Sequence, residues 1–273
     1  MNTDDFAKAL LAECAICWQW RIDTDPELAV AIGWLEKRRS THALDPRSLA
    51  SFEMRYRWVS KAQKRFDDLL AKGDLSTVHK DLKLTAELYV DQLKDYVDNF
   101  HHRSYLMCIN RMEGVQTDLP LYASYLPMNT LSDYKFFESF IEAVPTQIDE
   151  VILLLKEGVK QNRTIPQVSM EGVSDTVRKI VTSKAAAFLA PLEKMTPEHS
   201  SLKQTIVAKI NSSIPAAFQK LADFLDAEYT PNLSTEIAST IRYPEGEKFY
   251  ADCLAFHTTT TTTPKEVHDL GLS

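Results

Sequence analysis

The residues whose types could do chemistry lie close to the end of the chain, between Tyr250 and Leu272. This stretch reads YADCLAFHTTTTTTPKEVHDLGL. His257 ends an apolar segment, six threonines follow it, and His268 comes shortly after them. Imidazole can transfer protons or bind a metal, and hydroxyl groups can hydrogen-bond a ligand. The two histidines are eleven residues apart, so their spacing alone does not make a metal or catalytic site.

The six threonines from Thr258 to Thr263 have two interpretations. They could be a polar connection that stays extended, because β-branched side chains disfavour a tight helix. They could also be a strand-like segment whose backbone and hydroxyl groups line a cleft. Polar connecting segments are the commoner of the two, so the residues alone favour the connection.

The next residues, Thr263 to Glu266, predict the start of a helix. Threonine can cap the free amide groups, proline fits the first helical position, and Glu266 completes a capping box. Val267 and Leu270 then begin an apolar face. The sequence stops at Ser273, and so short a helix is marginal unless it packs against something. We therefore expect a truncated element.

The remaining cysteines and histidines offer weaker patterns. Cys14 and Cys17 form a Cys-x-x-Cys pair without a second pair, neighbouring histidines or a preceding strand, so we expect them to pack on a helix face. His101 and His102 point to different sides of a helix and suit its negative end. A metal-dependent hydrolase that uses Cys14, Cys17 or the histidines is a further hypothesis, although loose Cys/His sets seldom form sites.

Common catalytic motifs are missing from the sequence. It has no His-Glu-x-x-His, no Walker loop, no Gly-x-Gly-x-x-Gly and no Gly-x-Ser-x-Gly. Its seven histidines show no ligand spacing. We therefore predict no catalytic residue and no metal ligand in this chain.

The composition is that of an ordinary globular protein, with 44% apolar and 25% charged residues. The net charge of −7 argues against nucleic-acid and anionic-membrane partners, which select basic surfaces. No apolar run approaches the roughly 18 residues of a membrane span, and the N-terminus is acidic where a signal peptide is basic. Four cysteines are too few for a disulfide scaffold. We expect a cytoplasmic protein with reduced thiols.

Apolar residues recur at helical spacing along most of the chain, which predicts an all-α fold, an irregular array of about nine or ten helices. We treat residues 1–273 as a single helical region. Residues 103–131 are the exception: Gly114, Pro120 and Pro127 predict a long irregular loop and a possible subdivision of the region there. Other predicted helices run from Thr3 to Ile22, from Asp25 to Gly33, from Asp45 to Gly73, from Ser76 to His101 and from Pro166 to Thr182. A helical pattern also begins at Ser132, where Pro145 predicts a kink or two abutting helices. The remaining helices begin at Thr196, with an interruption at Pro215, and at Glu245, which starts a helix that ends at Phe256.

The terminal stretch resembles a signature of the domain-of-unknown-function family numbered 885. The matching residues are Tyr250, His257-Thr258-Thr259-Thr260, Thr263 to His268 and Leu270 to Leu272, with Lys265 in place of a usual acid. Weaker likeness is found at Asp25 to Ala29 with Gly33, at Tyr105 to Val115 and at Phe218 to Pro231. The resemblance covers essentially the whole sequence, but only about the first half of a family member.

This resemblance implies a helical fold similar to gluzincin-type metallopeptidases, in which two helical halves flank a cleft. The family's zinc motif, His-Glu-Ala-x-Pro-Gly-His-His, lies downstream of the segment that ends this chain. The chain would then be the N-terminal half: one cleft wall, without a cofactor of its own, since zinc is expected only in a full-length relative. Its partner would be a peptide ligand or the missing C-terminal half. The wall residues would be Tyr250, His257, Thr258, Thr259, Thr260, His268, Asn110 and Arg111. The alternative is a non-enzymatic helical interaction module.

Overall fold

The computed structural model describes residues 1–39 and 42–273. Across these residues every regular element is helical, and the one β contact is an isolated bridge between Pro166 and Ser234. The predicted all-α fold is confirmed. The α-helices are α1 (Thr3–Thr24), α2 (Pro26–Ala31), α3 (Leu49–Leu70), α4 (Lys80–Phe100), α5 (Val115–Tyr125), α6 (Leu131–Lys160), α7 (Val173–Thr182), α8 (Ala186–Leu189), α9 (Ser200–Phe224), α10 (Ser239–Arg242), α11 (Gly246–Thr258) and α12 (Pro264–Leu272).

Several helices begin where the sequence predicted. The Asp25 side chain accepts a hydrogen bond from the Leu28 amide at 2.8 Å and caps α2. Gly33 has a φ of +70°, as expected of a residue just past a helix end. At α12 the Thr263 side chain and the Glu266 side chain form the predicted capping box.

Two predicted helix starts are wrong by a few residues. Asn2, not Thr3, caps α1, because its Oδ1 accepts a hydrogen bond from the Asp5 amide at 2.8 Å. Asp45 does not begin α3; Ser48 caps that helix. Asp45 instead forms a salt bridge of 3.0 Å with an arginine of α3. A capping side chain is recognised only by its reach to a free amide, which the sequence does not show.

Prolines break fewer helices than predicted. Residues 103–131 contain the eleven-residue helix α5, so the predicted continuous loop is wrong, and Pro120 lies inside that helix. The single helices α6 and α9 run through Pro145 and Pro215. Proline costs about 3 kcal/mol inside a helix, but the apolar faces of α6 and α9 are buried on both sides of it. That burial outweighs the local penalty. Pro166, in contrast, precedes a 3-10 turn (Gln167–Met170), and α7 starts later.

Two apolar clusters form the core. The larger one lies among α5, α6, α7 and α9, and its largest fully buried rings are Tyr134, Tyr229, Phe137, Phe140, Phe188 and Phe218. The smaller one joins α1, α3 and α4.

Cys14 and Cys17 are buried in the smaller cluster. Burial, assisted by the neighbouring Glu13, raises the pKa of Cys14 to about 11 and that of Cys17 to about 12. Both cysteines therefore pack as apolar residues.

Candidate functional site

A buried histidine attaches α11 to the end of α4. His102 is only 4% exposed, and its Nε2 lies 2.7 Å from Oδ2 of Asp252. Lys248 donates to the same carboxylate from one helical turn earlier. Burial alone would raise the pKa of Asp252, but the hydrogen bonds from Lys248 and His102 outweigh it and lower that pKa. The ring of Phe249 packs edge-on against His102 at 5.2 Å.

A second contact fixes the start of α11. Tyr243 is 7% exposed and donates its hydroxyl to the carbonyl oxygen of Thr164 at 2.8 Å. Arg242 donates to the same carbonyl. The Tyr243 ring packs edge-on against Phe249 at 5.5 Å. The beginning of α11 is thus tied to two separate parts of the chain.

These contacts use one side of α11 and leave another side uncovered. Phe249 and Asp252 share the side that faces His102. Tyr250 and His257, seven residues apart, share a different side, because residues at i and i+7 line up on a helix. Tyr250 is 45% exposed, and His257 is also exposed. The helix therefore presents both predicted site residues to solvent.

The threonines that follow α11 are arranged with alternating hydroxyl groups on one side. Thr258 Oγ1 lies 2.9 Å from Thr260 Oγ1, which in turn lies 2.8 Å from Thr262 Oγ1. Thr259 has a φ of +54° and ends the helix. Thr258 is still the last residue of α11, whereas Thr263, at the far end of the run, has extended backbone angles, with φ −79° and ψ 156°. The run therefore begins in a helix and a turn and is extended at Thr263, and a role in lining a cleft stays a prediction.

Helix α12 follows the threonines and lies at the surface of the described part of the chain. None of its residues is buried. Val267 is 38%, Leu270 75% and Leu272 76% exposed. His268, the remaining predicted site residue of this region, is exposed as well. We call the exposed residues of α11, the threonine segment and α12 the terminal surface.

Asn110 and Arg111, predicted to face the same cleft, lie in a separate loop before α5. The Asn110 Oδ1 accepts hydrogen bonds from the amides of Met112 at 2.7 Å and Glu113 at 3.0 Å, so it shapes its own loop. The Arg111 amide donates to the carbonyl oxygen of Ser169 at 2.9 Å. The side chain of Arg111 is exposed.

The segment from Thr164 to Ser169 connects this loop with the start of α11. Its first carbonyl receives Tyr243, and its last carbonyl receives Arg111. Five residues span at most about 18 Å, which limits the separation of the two contacts. Over residues 1–39 and 42–273, no hydrogen bond or ring contact joins Arg111 or Asn110 directly to the terminal surface. The Thr164 to Ser169 segment therefore connects the loop of Asn110 and Arg111 with the start of α11. Among the described residues, no such contact joins that loop directly to the terminal surface.

The described residues do not assemble a metal site. Within 1–39 and 42–273 no group of three or more His, Cys, Asp or Glu side chains is arranged to hold a metal ion. A zinc site in a protein takes three or four such side chains, so no set in this part of the chain fits a zinc ion. In the same part of the chain, no helix combines the length and apolar character needed to cross a membrane.

The positioning of the terminal surface by His102, Asp252 and Tyr243 was not predicted from the sequence. His102 was assigned only to a helix end, and Asp252 was not singled out. The one local signal was the three-residue spacing of Phe249 and Asp252, which puts both on a side of α11 different from that of Tyr250. His102 and Asp252 are 150 residues apart, and no local pattern connects positions that distant.

Comparison with known proteins identifies the protein family of this chain and a solved structure with a similar fold. The family model described as "Bacterial protein of unknown function (DUF885)" matches residues 26–273. No curated protein matches the sequence. A crystal structure of a Colwellia psychrerythraea protein named as a lipoprotein superposes with a TM-score of 0.78 at 16% identity. The match covers 98% of this chain and 48% of that one, so this chain spans about half the length of that structure. At this identity the likeness shows the fold alone.

Proposed function

Because the chain belongs to the DUF885 family, we propose that it forms one wall of a peptide-binding cleft in a metallopeptidase-like protein, as its N-terminal helical half. The other wall and the zinc-binding residues belong to a second helical half. The observation that carries this proposal is α12, a helix with a complete capping box whose apolar residues are exposed.

An isolated helix of nine residues is marginal in water. Its capping box contributes about 1 kcal/mol, and its exposed leucines contribute only when something covers them. Leu270 and Leu272 are each three-quarters exposed. A second helical half that packs against these side chains would supply the missing burial. The fold likeness to a chain about twice as long supports such an arrangement.

The terminal surface has the chemistry of a peptide-binding wall. Tyr250 offers a ring with a hydroxyl, and the threonine segment offers a row of three hydroxyl groups, from Thr258, Thr260 and Thr262. Hydroxyl groups both donate and accept hydrogen bonds, as the polar groups of a peptide backbone require. Arg111, at the other end of the Thr164 to Ser169 connection, offers a positive charge for a carboxylate. We assign no catalytic step to the residues that the structure describes, because no cluster among them is arranged to hold a zinc ion.

Peptide binding tests the proposal. A pool of fluorescein-labelled decapeptides is titrated with the purified chain, and fluorescence polarisation gives the affinity. Tyr250→Ala and His257→Ala are expected to weaken binding severalfold, because truncating a contact residue at an interface typically costs about 1 kcal/mol or more. Tyr125→Ala is the matched control, since Tyr125 is also an exposed tyrosine, at 62%, but lies at the end of α5. Equal affinities in all four proteins would refute the proposal.

A second candidate function is a non-enzymatic helical interaction module. The observation that favours it is the large continuous core that α5, α6, α7 and α9 bury among themselves. A module of this kind would show one cooperative thermal transition as a monomer or homodimer and would bind a protein partner. Its peptide affinity would not respond to Tyr250→Ala, which separates it from the first proposal.

A further inference from the structure

The side of α3 that faces away from the core carries two neighbouring rows of side chains, one apolar and one charged. Within each row the residues are four positions apart, so they lie one above the other along the helix. The apolar row is Ala50, Met54 and Trp58, and the charged row is Glu53, Arg57 and Lys61. These six residues line an open groove of about 530 Å³. The two rows run side by side for about 12 Å.

Trp58 is a fixed apolar wall of this groove. Its ring stacks on that of Trp20, with centroids 3.9 Å apart and planes 5° apart. The guanidinium group of Arg65 lies 5.4 Å from the same ring, and Arg65 is itself paired with the buried carboxylate of Glu13 at 2.6 Å. A ligand that contacts Trp58 therefore does not have to order it, which lowers the entropic cost of binding.

Met54 is the adaptable part of the apolar row. Its side chain is 63% exposed, and a flexible thioether adjusts to the shape of a ligand and contacts aromatic rings favourably. Trp58 also packs well with aromatic groups. The apolar row therefore suits a ring.

The positive charges beside the apolar row are not used by the rest of the chain. Arg55, on the inward side of α3, pairs with Asp45 at 3.0 Å. Within residues 1–39 and 42–273, by contrast, no carboxylate forms an ion pair with Arg57 or Lys61, and both side chains are exposed. Because they are one helical turn apart, both can reach a single anionic group.

The charge of the whole chain limits what this groove can bind. A net charge of −7 repels polyanions such as nucleic acids and anionic membranes, and salt restricts the influence of two surface cations to about 8 Å. Glu53, the one acid of the charged row, lies two turns from Lys61. A small molecule with a single anionic group near Arg57 and Lys61 fits this distribution of charge.

We propose that this groove of α3 binds a small aromatic carboxylate. The ring of the ligand lies against Met54 and Trp58, and its carboxylate lies between Arg57 and Lys61. None of these residues belongs to the terminal surface, so this site is additional to the proposed peptide cleft.

Isothermal titration calorimetry with 1-naphthaleneacetate tests the site. We expect one molecule to bind per chain, with a dissociation constant on the order of 1 mM or below for a ligand of this size. The neutral 1-naphthaleneacetamide has the same ring and should bind at least about threefold more weakly. Equal affinities of the two compounds, or no binding of the carboxylate, would overturn the proposal.

Substitutions locate the binding to this groove. Lys61→Gln should weaken binding of 1-naphthaleneacetate about two- to fivefold, whereas Lys135→Gln, which removes an exposed lysine of α6, should leave it unchanged. Met54→Ala should also weaken binding severalfold. Its control is Met112→Ala, because Met112 is 83% exposed but lies in the loop before α5.

Glu53→Gln should act in the opposite direction. It removes a negative charge from the same row, so 1-naphthaleneacetate should bind up to about threefold more tightly. A variant that only damaged the fold would not gain affinity. Equal affinities of the wild type, Lys61→Gln and Glu53→Gln would show that the carboxylate is not bound at this groove.

Discussion

The Nε2 of His102 and the Oδ2 of Asp252 lie 2.7 Å apart and join residues 150 positions apart in the sequence. The imidazole is almost completely buried, whereas the carboxylate side chain is 27% exposed. This contact holds α11 against the end of α4, and it directs Tyr250 and His257 away from the core. The orientation of the terminal surface therefore depends on it.

Removal of Asp252 should destabilise the chain. Asp252→Ala leaves a buried histidine without its partner, and we expect a loss of about 1–3 kcal/mol in the free energy of unfolding, measured by urea denaturation. Asp269→Ala is the matched control, because Asp269 also pairs with a lysine one turn earlier but is 55% exposed. The control should change stability by less than about 0.5 kcal/mol. Equal losses of unfolding free energy in the two variants would show that the contact with His102 does not stabilise the chain.

The contribution of Asp252 should also depend on pH. Its pKa is lower in the folded chain than its ordinary value of 3.8. A depressed carboxyl pKa stabilises the fold above the ordinary value and stops doing so as the pH falls through the folded value. The stability gap between wild type and Asp252→Asn should therefore be constant near neutral pH and close only below 3.8. If the stability difference between wild type and Asp252→Asn disappeared at a pH between neutral and 3.8, the lowered pKa of Asp252 would be contradicted.

Two capping boxes should respond differently to the same substitution. Thr130 caps the buried helix α6, and Thr263 caps the exposed helix α12. Thr130→Ala should lower the global free energy of unfolding by about 1 kcal/mol. Thr263→Ala should leave it unchanged and raise only the hydrogen-exchange rates of α12, because α12 buries no residue. A global loss from Thr263→Ala would mean that α12 is packed in solution.

The thiols of Cys14 and Cys17 should be unreactive in the folded chain. Their pKa values are raised to about 11 and about 12, mainly by burial, and the thiolate is the reactive form. Iodoacetamide labelling at mildly alkaline pH, read by mass spectrometry, should be slow for both cysteines and become fast in urea. Fast labelling of either cysteine in the native chain would contradict its place in the core.

Local sequence signals predicted local structure well. The start of α12 follows from Thr263 and Glu266, because every contact of a capping box lies within four residues. The interruption predicted at Pro215 and the two abutting helices that were one alternative at Pro145 are wrong, because burial of the flanking apolar residues outweighs the lost hydrogen bond. Whether burial wins depends on which helices pack together, and the sequence alone does not specify that.

The candidate site was predictable in its residue types but not in its arrangement. Tyr250, His257 and the threonines were chosen from a terminal pattern, and the structure exposes all of them except Thr258 and Thr262, which are half-buried. Their orientation comes from His102 and Tyr243, whose partners are 150 and 79 positions away. Asn110 was expected to face a ligand, but its Oδ1 is used by its own loop. Such long-range contacts arise only when the whole core has formed.

We propose that this chain lines a peptide cleft without supplying the zinc chemistry. Incubation of the purified chain with the labelled decapeptides, with and without a metal chelator, tests this when binding is followed by fluorescence polarisation and cleavage by mass spectrometry. We expect peptides to bind through Tyr250 and to stay intact under both conditions. Cleavage that the chelator abolishes would refute the proposal.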